Sequence, residues 1–137
     1  IFYLYNRCLV LQGKKIPLYA DGANQRDWPF VEDHCEALEK IVFRGQLGET
    51  YLIGGGQELT NLQVVRSIVS LMGKDDGWIQ SVPDRPGHDF RYSMDISETA
   101  KALDWRPKTS FQEGLKKTLE WYQGNRNWWE DLKRKLG

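Results

Sequence analysis

The chain has 137 residues, which is enough for one domain of modest size. Hydrophobic residues make up 40% of it and charged residues 28%, as is ordinary for a soluble globular protein. Nineteen Lys and Arg residues balance nineteen Asp and Glu residues, so no overall electric field favours binding to nucleic acid or to an anionic membrane.

The beginning of the chain has no feature of a targeting segment. Residues 1–11 are apolar and aromatic, but they lack a basic region and a small-residue cleavage site, and they are too few to cross a bilayer. Cys8 and Cys35 have no CxxC spacing, which favours a reduced, cytoplasmic protein over a disulfide framework. Because the sequence lacks an initiator Met and opens inside an apolar run, we expect residues 1–137 to be a piece of a longer protein.

The first half of the chain alternates between helical and extended patterns. Gly13 ends the first helix, and Pro17 restricts its strand to the edge of a sheet. The predicted elements are, in order, the end of a helix at 3–12, a strand at 15–19, a turn at 21–24, an extended piece at 26–30, a helix at 31–43 and a strand at 49–53.

The second half contains clear helix-start signals. Thr60 is placed to cap an amphipathic helix, Asp95 to cap a shorter one, and Ser110 with Glu113 forms a capping box. The predicted elements are helices at 60–72, 95–103, 111–123 and 127–137, with strands at 78–82 and 91–94. This alternation predicts the α/β class.

Two local patterns admit a ligand but have simpler explanations. The glycines at 54–56 lie between a predicted strand and a helix, where phosphate can bind, yet the G-x-G-x-x-G spacing is absent and a plain turn is favoured. His34 and Cys35 are adjacent on a predicted helix and so point about 100° apart, which disfavours a shared metal ion. We assign no metal site.

Three arginines are stronger candidates for binding an anion. Arg26, Arg85 and Arg91 lie in or beside predicted loops, and guanidinium groups bind phosphate through two parallel hydrogen bonds. Local pairing with aspartates is an equally good explanation on the residue pattern alone, since Asp27, Asp84 and Asp89 are close in sequence.

Three segments carry a family resemblance, and together they extend over most of the chain. They read GKKIPLYADGANQRDWPFVEDHCEAL, then GETYLIGGGQELTNLQVVRSIVSLM, then DRPGHDFRYSMDISETAKALDWRPKTSFQEGLKKTLEWY. In this order they resemble the C-terminal part of the dTDP-glucose 4,6-dehydratases, which are extended short-chain dehydrogenases/reductases. The RPGHDxRY pattern is the most particular to that group.

The resemblance implies the substrate-binding lobe of such an enzyme, together with the last elements of its Rossmann domain. The intact enzyme would be a homodimer that binds NAD in an N-terminal part, oxidises the sugar, eliminates water and returns the hydride. Its catalytic residues would belong to a YxxxK motif, a threonine and an Asp-Glu pair. None of these motifs occurs in this sequence, so we assign no catalytic and no cofactor-binding residue here.

The resemblance does imply substrate contacts for dTDP-glucose. Arg26 and Arg85 would bind the diphosphate, and Asn61 would bind the same region of the nucleotide. Pro17 and Tyr19 would line the base pocket, with edge-strand packing as the alternative for Tyr19. For Asn61 a helix-start hydrogen bond is the alternative to a substrate contact. His88 would lie near the nucleotide, or it would form a hydrogen bond within its own loop.

One position departs from the family pattern, because Ala20 stands where members often have glycine. Two other functions stay open. A related UDP-sugar epimerase or decarboxylase would share the RDW…VED pattern but is not expected to carry RPGHD. A nucleotide-binding module without catalysis is the third reading.

Overall fold

The computed structural model describes residues 9–136, in which short strands precede and separate the first two long helices and three helices end the chain. The strands are β1 (Ile16–Tyr19), β2 (Gln25–Asp27), β3 (Glu58–Thr60) and β4 (Ile79–Val82). The longer helices are α1 (Val31–Arg44), α2 (Asn61–Leu71), α3 (Ser97–Leu103), α4 (Phe111–Gly124) and α5 (Arg126–Leu136). Within the described residues the predicted α/β class is confirmed.

The start of the chain is only partly described. Residues 9–11 are helical, and Gly13 follows them with a φ of +74°, a left-handed conformation that glycine adopts without strain. The rest of the helix predicted at 3–12, together with Cys8, lies outside the described residues.

The strands form two small sheets. In one, β1 and β4 run parallel, with Ile16 opposite Ile79 and Tyr19 opposite Val82. In the other, β2 and β3 run antiparallel. Parallel strands need a long crossover connection, and here it includes α1 and α2.

The main core lies between β1 and α2. Ile16 and Leu18 point into it from alternate positions of the strand, as the two-residue period of a strand requires. The apolar stripe of α2 fills the other side with Val64, Val65, Ile68 and Val69. This core fixes the strand from which Pro17 and Tyr19 project.

A second cluster corrects the strand predicted at 49–53. Tyr51 and Ile53 pack against Ala37, Leu103 and Trp105, but no strand of the described chain pairs with this segment. The apolar pattern therefore reports burial of alternate side chains rather than membership of a sheet.

Two further strand predictions are also corrected. The strand predicted at 91–94 is reduced to a single bridge between Gln25 and Arg91. Trp78 belongs to a 3₁₀ turn (Asp76–Trp78) that precedes β4, because the Asp75 side chain accepts a hydrogen bond from the Gly77 N–H and tightens the chain there.

The helix caps predicted at Thr60 and Ser110 are confirmed. Thr60 and Gln63 form a capping box at α2, and Ser110 and Glu113 form one at α4. The cap predicted at Asp95 is wrong, because the N-cap of α3 is Ile96; Asp95 precedes it and accepts a hydrogen bond from the Ser97 N–H. No helix among residues 9–136 combines the length and apolar character needed to cross a membrane.

Candidate functional site

The candidate site lies where β1 and β4 end. The two parallel strands finish side by side, with Tyr19 opposite Val82. A turn at 21–24 follows β1, and a loop at 84–92 follows β4. Since the carboxyl ends of parallel strands meet at one edge, residues from these two connections are brought together.

The strand β1 presents two of the predicted site residues on one face. Ile16 and Leu18 are buried, whereas Pro17 and Tyr19 alternate with them and are partly exposed. Ala20 follows with a φ of +48°, in the left-handed region that favours glycine. The departure from the family glycine therefore occurs at a position where the backbone still adopts the glycine-like conformation.

Arg26, on β2, fastens the 84–92 loop. Its guanidinium donates hydrogen bonds to the backbone carbonyl oxygens of Asp89 at 2.7 Å and Phe90 at 3.2 Å, and to that of Gln25 at 2.6 Å. Its Cζ lies 4.4 Å from the centre of the Tyr92 ring, which is a cation–π contact. The side chain is thus held in one orientation by contacts from both connections.

The 84–92 loop is also hydrogen-bonded through the backbone to Gln25, the first residue of β2 after the turn. The Gln25 N–H donates to the Phe90 carbonyl at 2.8 Å, and the Tyr92 N–H donates to the Gln25 carbonyl at 3.1 Å. The buried Asn24 adds a side-chain hydrogen bond from Nδ2 to the Asp89 carbonyl at 3.2 Å. These bonds fix residues 89–92 against the turn.

Arg85, His88 and Tyr19 lie close together at the other end of the loop. The Arg85 Cζ is 5.6 Å from the centre of the Tyr19 ring, and the His88 ring meets the Tyr19 ring edge-on at a centroid distance of 6.0 Å. Only 4% of the His88 side chain is exposed, and its Nδ1 lies 2.7 Å from Oδ1 of Asp84. This hydrogen bond lowers the pKa of Asp84 below its ordinary value.

Arg26 and Arg85 have no salt-bridge partner among the described residues. The aspartates beside them are engaged elsewhere: Asp27 accepts from the Gly55 N–H, Asp84 contacts His88, and Asp89 accepts from the Tyr92 hydroxyl. The local Arg–Asp salt bridges considered from the sequence are therefore not formed within the described residues, and neither guanidinium is occupied by a carboxylate there.

Arg91 is different, because it is paired. Its guanidinium makes two parallel hydrogen bonds to the Glu58 carboxylate, at 2.6 and 2.7 Å. The bonds from Arg91 and from Ser93 lower the pKa of Glu58 from 4.5 to about 2. This pair ties the end of the loop to β3 and removes Arg91 from the set of available cations.

Asn61 begins α2 next to the turn. Its N–H donates to the Asn24 carbonyl at 2.9 Å, so the hydrogen bond expected at the start of a helix is present through the backbone. The residue is 7% exposed, and its side-chain Oδ1 is buried without a hydrogen-bond partner among the described residues. A buried polar atom without a partner costs stability, and a bound water or a ligand can supply the missing hydrogen bond.

The glycines at 54–56 are used for internal packing. A Cβ on Gly54 would lie 2.2 Å from the Asp27 carboxylate, and one on Gly55 would lie 2.6 Å from the Trp28 backbone. Asp27 also accepts hydrogen bonds from the N–H groups of Gly55 at 2.9 Å and Gln57 at 3.3 Å. These donors are taken by the protein's own carboxylate, so this turn does not fit a cofactor phosphate.

The remaining sequence candidates do not form a metal site in the described chain. Residues 9–136 contain no group of three or more His, Cys, Asp or Glu side chains arranged to hold a metal ion. Cys35 is exposed with a free thiol.

Sequence reasoning missed two residues that shape the site. Tyr92 contacts both Arg26 and Asp89, and Asn24 holds the Asp89 carbonyl from a buried position. The RPGHDxRY pattern contains Tyr92 and could have drawn attention to it. Nothing in the local sequence distinguishes Asn24 from an ordinary turn asparagine.

Comparison with known proteins gives a consistent result. The dTDP-glucose 4,6-dehydratase of Streptomyces niveus is 46% identical over 124 residues, which cover 90% of this chain and 37% of that protein. The enzyme of the same description from Neisseria meningitidis serogroup B is 42% identical over 133 residues, covering 89% and 38%. The chain therefore spans less than two fifths of the length of these relatives.

Solved structures agree with the sequence relatives. The dTDP-glucose 4,6-dehydratase of Bacillus anthracis, in complex with NAD, superposes with a TM-score of 0.87 at 44% identity, covering 93% of this chain and 40% of that one. A UDP-glucose 4-epimerase of Thermotoga maritima, with UDP-glucose, gives 0.81 at 27% identity, covering 90% and 39%. The predicted resemblance to dTDP-glucose 4,6-dehydratases is confirmed. Residues 6–118 match the GDP-mannose 4,6-dehydratase family as a whole, and the chain belongs to that family.

Proposed function

We propose that residues 1–137 form the nucleotide-sugar-binding region of a dTDP-glucose 4,6-dehydratase. The enzyme removes water from dTDP-glucose and yields dTDP-4-keto-6-deoxyglucose. The observation that carries the proposal is that the loop with the RPGHD sequence contains Arg85 and is bound by Arg26, and neither arginine forms a salt bridge in the described chain. Identities of 42–47% to proteins of this description support the choice of reaction.

The proposed contacts follow from charge and shape. Arg85 and the remaining donors of Arg26 bind the diphosphate, since guanidinium groups match phosphate oxygens with paired hydrogen bonds. Pro17 and Tyr19, on the open face of β1, line the base pocket. Asn61 offers its buried side-chain amide to the same nucleotide, and His88 contributes the wall beside Tyr19.

The chemistry itself is assigned outside these residues. NAD, when bound, would take up the hydride and return it, and we assign no residue of this chain to its binding. The role of the region is to bind and orient the sugar nucleotide, which lowers the barrier by positioning. As part of the same proposal, the intact protein is a cytoplasmic homodimer. Sedimentation analysis would measure its oligomeric state.

The proposal is tested with the full-length protein, NAD and dTDP-glucose. We expect a 4-keto product, detected by its absorbance in alkali, and no product from the purified 137-residue chain. Failure of the full-length protein to convert dTDP-glucose would contradict the assigned reaction. Product formation by the 137-residue chain would contradict the assignment of the catalytic residues to another part of the enzyme.

A related UDP-sugar epimerase is the second candidate, because its fold is also similar. The lower identity of 27% makes it the weaker one. Incubation with UDP-glucose separates the two, since an epimerase would interconvert it with its C4 epimer and leave no keto product.

A further inference from the structure

We infer that Tyr92 is a positioning residue for the diphosphate, acting through Arg26; this rests on the proposed function. A guanidinium carries five N–H donors in a fixed plane. Arg26 uses three hydrogen bonds to hold backbone carbonyls, at Gln25, Asp89 and Phe90. Two donors remain for an anion, and their direction is set by whatever fixes the guanidinium plane.

Tyr92 fixes that plane from the open side. Its ring centre lies 4.4 Å from the Arg26 Cζ, whereas the carbonyl contacts reach the edge of the guanidinium. Arg26 is therefore held along its edge by the loop backbone and over its face by the ring. Such a clamp limits the rotamers of a long side chain before any ligand arrives, which reduces the entropic cost of binding.

The Tyr92 hydroxyl connects the clamp to the loop. It donates a hydrogen bond to the Asp89 carboxylate. The backbone carbonyl of Asp89 in turn accepts the 2.7 Å hydrogen bond from Arg26. This bond raises the pKa of Tyr92 above its ordinary value, while the charges of Arg26 and Arg85 act in the opposite direction. Of the two arginines, it is Arg26 whose guanidinium contacts the Tyr92 ring, so the inference concerns Arg26.

Packing does not account for Tyr92. Half of the residue is exposed, and it belongs to none of the hydrophobic clusters of the described chain. Its neighbour Phe90 is also exposed, at 62%, and lies in the same loop without an aromatic or cation–π contact to a described residue. Phe90 is therefore a matched control for removing an exposed ring from this loop.

The test measures dTDP affinity of the full-length protein by calorimetry. We expect Tyr92→Leu to weaken binding about two- to fivefold, the range of an exposed cation–π contact. Tyr92→Phe keeps the ring over Arg26 and loses only the hydroxyl bond to Asp89, so its loss of affinity should be smaller than that of Tyr92→Leu, and Phe90→Leu should bind as well as the unsubstituted protein. In an Arg26→Gln background, Tyr92→Leu should cause no further loss.

The outcomes separate this inference from the proposed function. If the unsubstituted protein does not bind dTDP, the proposed function fails and the role of Tyr92 falls with it. If it binds, unchanged affinity in Tyr92→Leu would overturn the inference, as would an equal loss with and without Arg26. Tyr92→Gln, a second ring-free substitution at this exposed position, carries the test should Tyr92→Leu fail to fold.

Discussion

Two glycine-containing turns of this protein differ in what surrounds their glycines. Gly54 and Gly55 are crowded, with Asp27 and the Trp28 backbone within 2.2–2.6 Å of where a Cβ would lie. At Gly87, in the 84–92 loop, a Cβ would meet nothing within 4 Å. In the first turn a carboxylate accepts hydrogen bonds from the backbone N–H groups, whereas the second lies beside Arg85, whose guanidinium contacts the Tyr19 ring and forms no salt bridge with a described residue.

The difference shows how a protein's own acid decides whether a turn is available to an anion. The Asp27 carboxylate accepts hydrogen bonds from the N–H groups of Gly55 and Gln57, so that turn has a structural role. In the other loop Asp84 and Asp89 are hydrogen-bonded to His88 and Tyr92, and the Arg85 guanidinium forms no salt bridge with a described residue. The two turns should therefore respond to substitution in opposite ways, one in stability and the other in binding.

The largest expected effect is on binding. Arg85→Ala in the full-length protein should weaken dTDP binding about tenfold to a hundredfold, the range for hydrogen bonds to charged groups. Its guanidinium has no side-chain partner in the described chain apart from the Tyr19 ring, so stability should change little. Calorimetry for affinity and thermal melting for stability measure the two quantities separately.

Arg66→Ala is the matched control for Arg85. Arg66, on α2, is also an exposed arginine, but it forms a salt bridge with Asp76 of the 3₁₀ turn and not with the 84–92 loop. Its removal should leave dTDP affinity unchanged. Equal affinity for the Arg85→Ala variant and the unsubstituted protein would exclude Arg85 from the site.

The second effect is on stability and distinguishes the two turns directly. Gly55→Ala should destabilise the fold by about 2–3 kcal/mol, because the added methyl group overlaps backbone atoms that cannot move aside easily. Gly87→Ala should cost about 1 kcal/mol, because its φ of +69° strains an alanine but no atom is in the way. Denaturant titration checks both, and a larger loss at Gly87 would reverse the comparison.

The smallest effect is a pH dependence at the anchored end of the loop. The folded-state pKa of Glu58 is about 2, below the ordinary value of 4.5. The Glu58–Arg91 pair therefore contributes to stability above pH 4.5, and this contribution is lost as the pH falls toward 2. Glu58→Gln should show a shallower loss of stability across that window in acid unfolding followed by circular dichroism. An unchanged slope would mean that the pair does not stabilise the loop.

Much of the fold could be predicted because its signals are local. Thr60 and Ser110 cap their helices with side chains three residues from their partners, so the information lies within one turn. The apolar period of α2 likewise needs no knowledge of the rest of the chain. The segment at 49–53 was predicted wrongly because alternate burial of Tyr51 and Ile53 looks the same whether or not a neighbouring strand is present.

The site was only partly predictable. The arginines could be named from the sequence, but whether Arg26, Arg85 and Arg91 are paired depends on residues distant in the chain, such as Glu58. Tyr92 and Asn24 act on the 84–92 loop and the turn through contacts across the fold. Contacts between distant residues cannot be derived from a single sequence. The roles of Pro17, Tyr19, Asn61 and His88 in binding stay predictions.

The parallel pairing of β1 with β4 has a consequence for how the site comes into being. Tyr19 and Arg85 approach each other only after two strands far apart in sequence have met in the correct register. Contacts of such large sequence separation form late and slowly in folding, because the intervening chain must first be closed into a loop. A shift of one residue would also turn Tyr19 to the buried face. Ligand-binding competence should therefore be among the last properties that a refolding chain acquires.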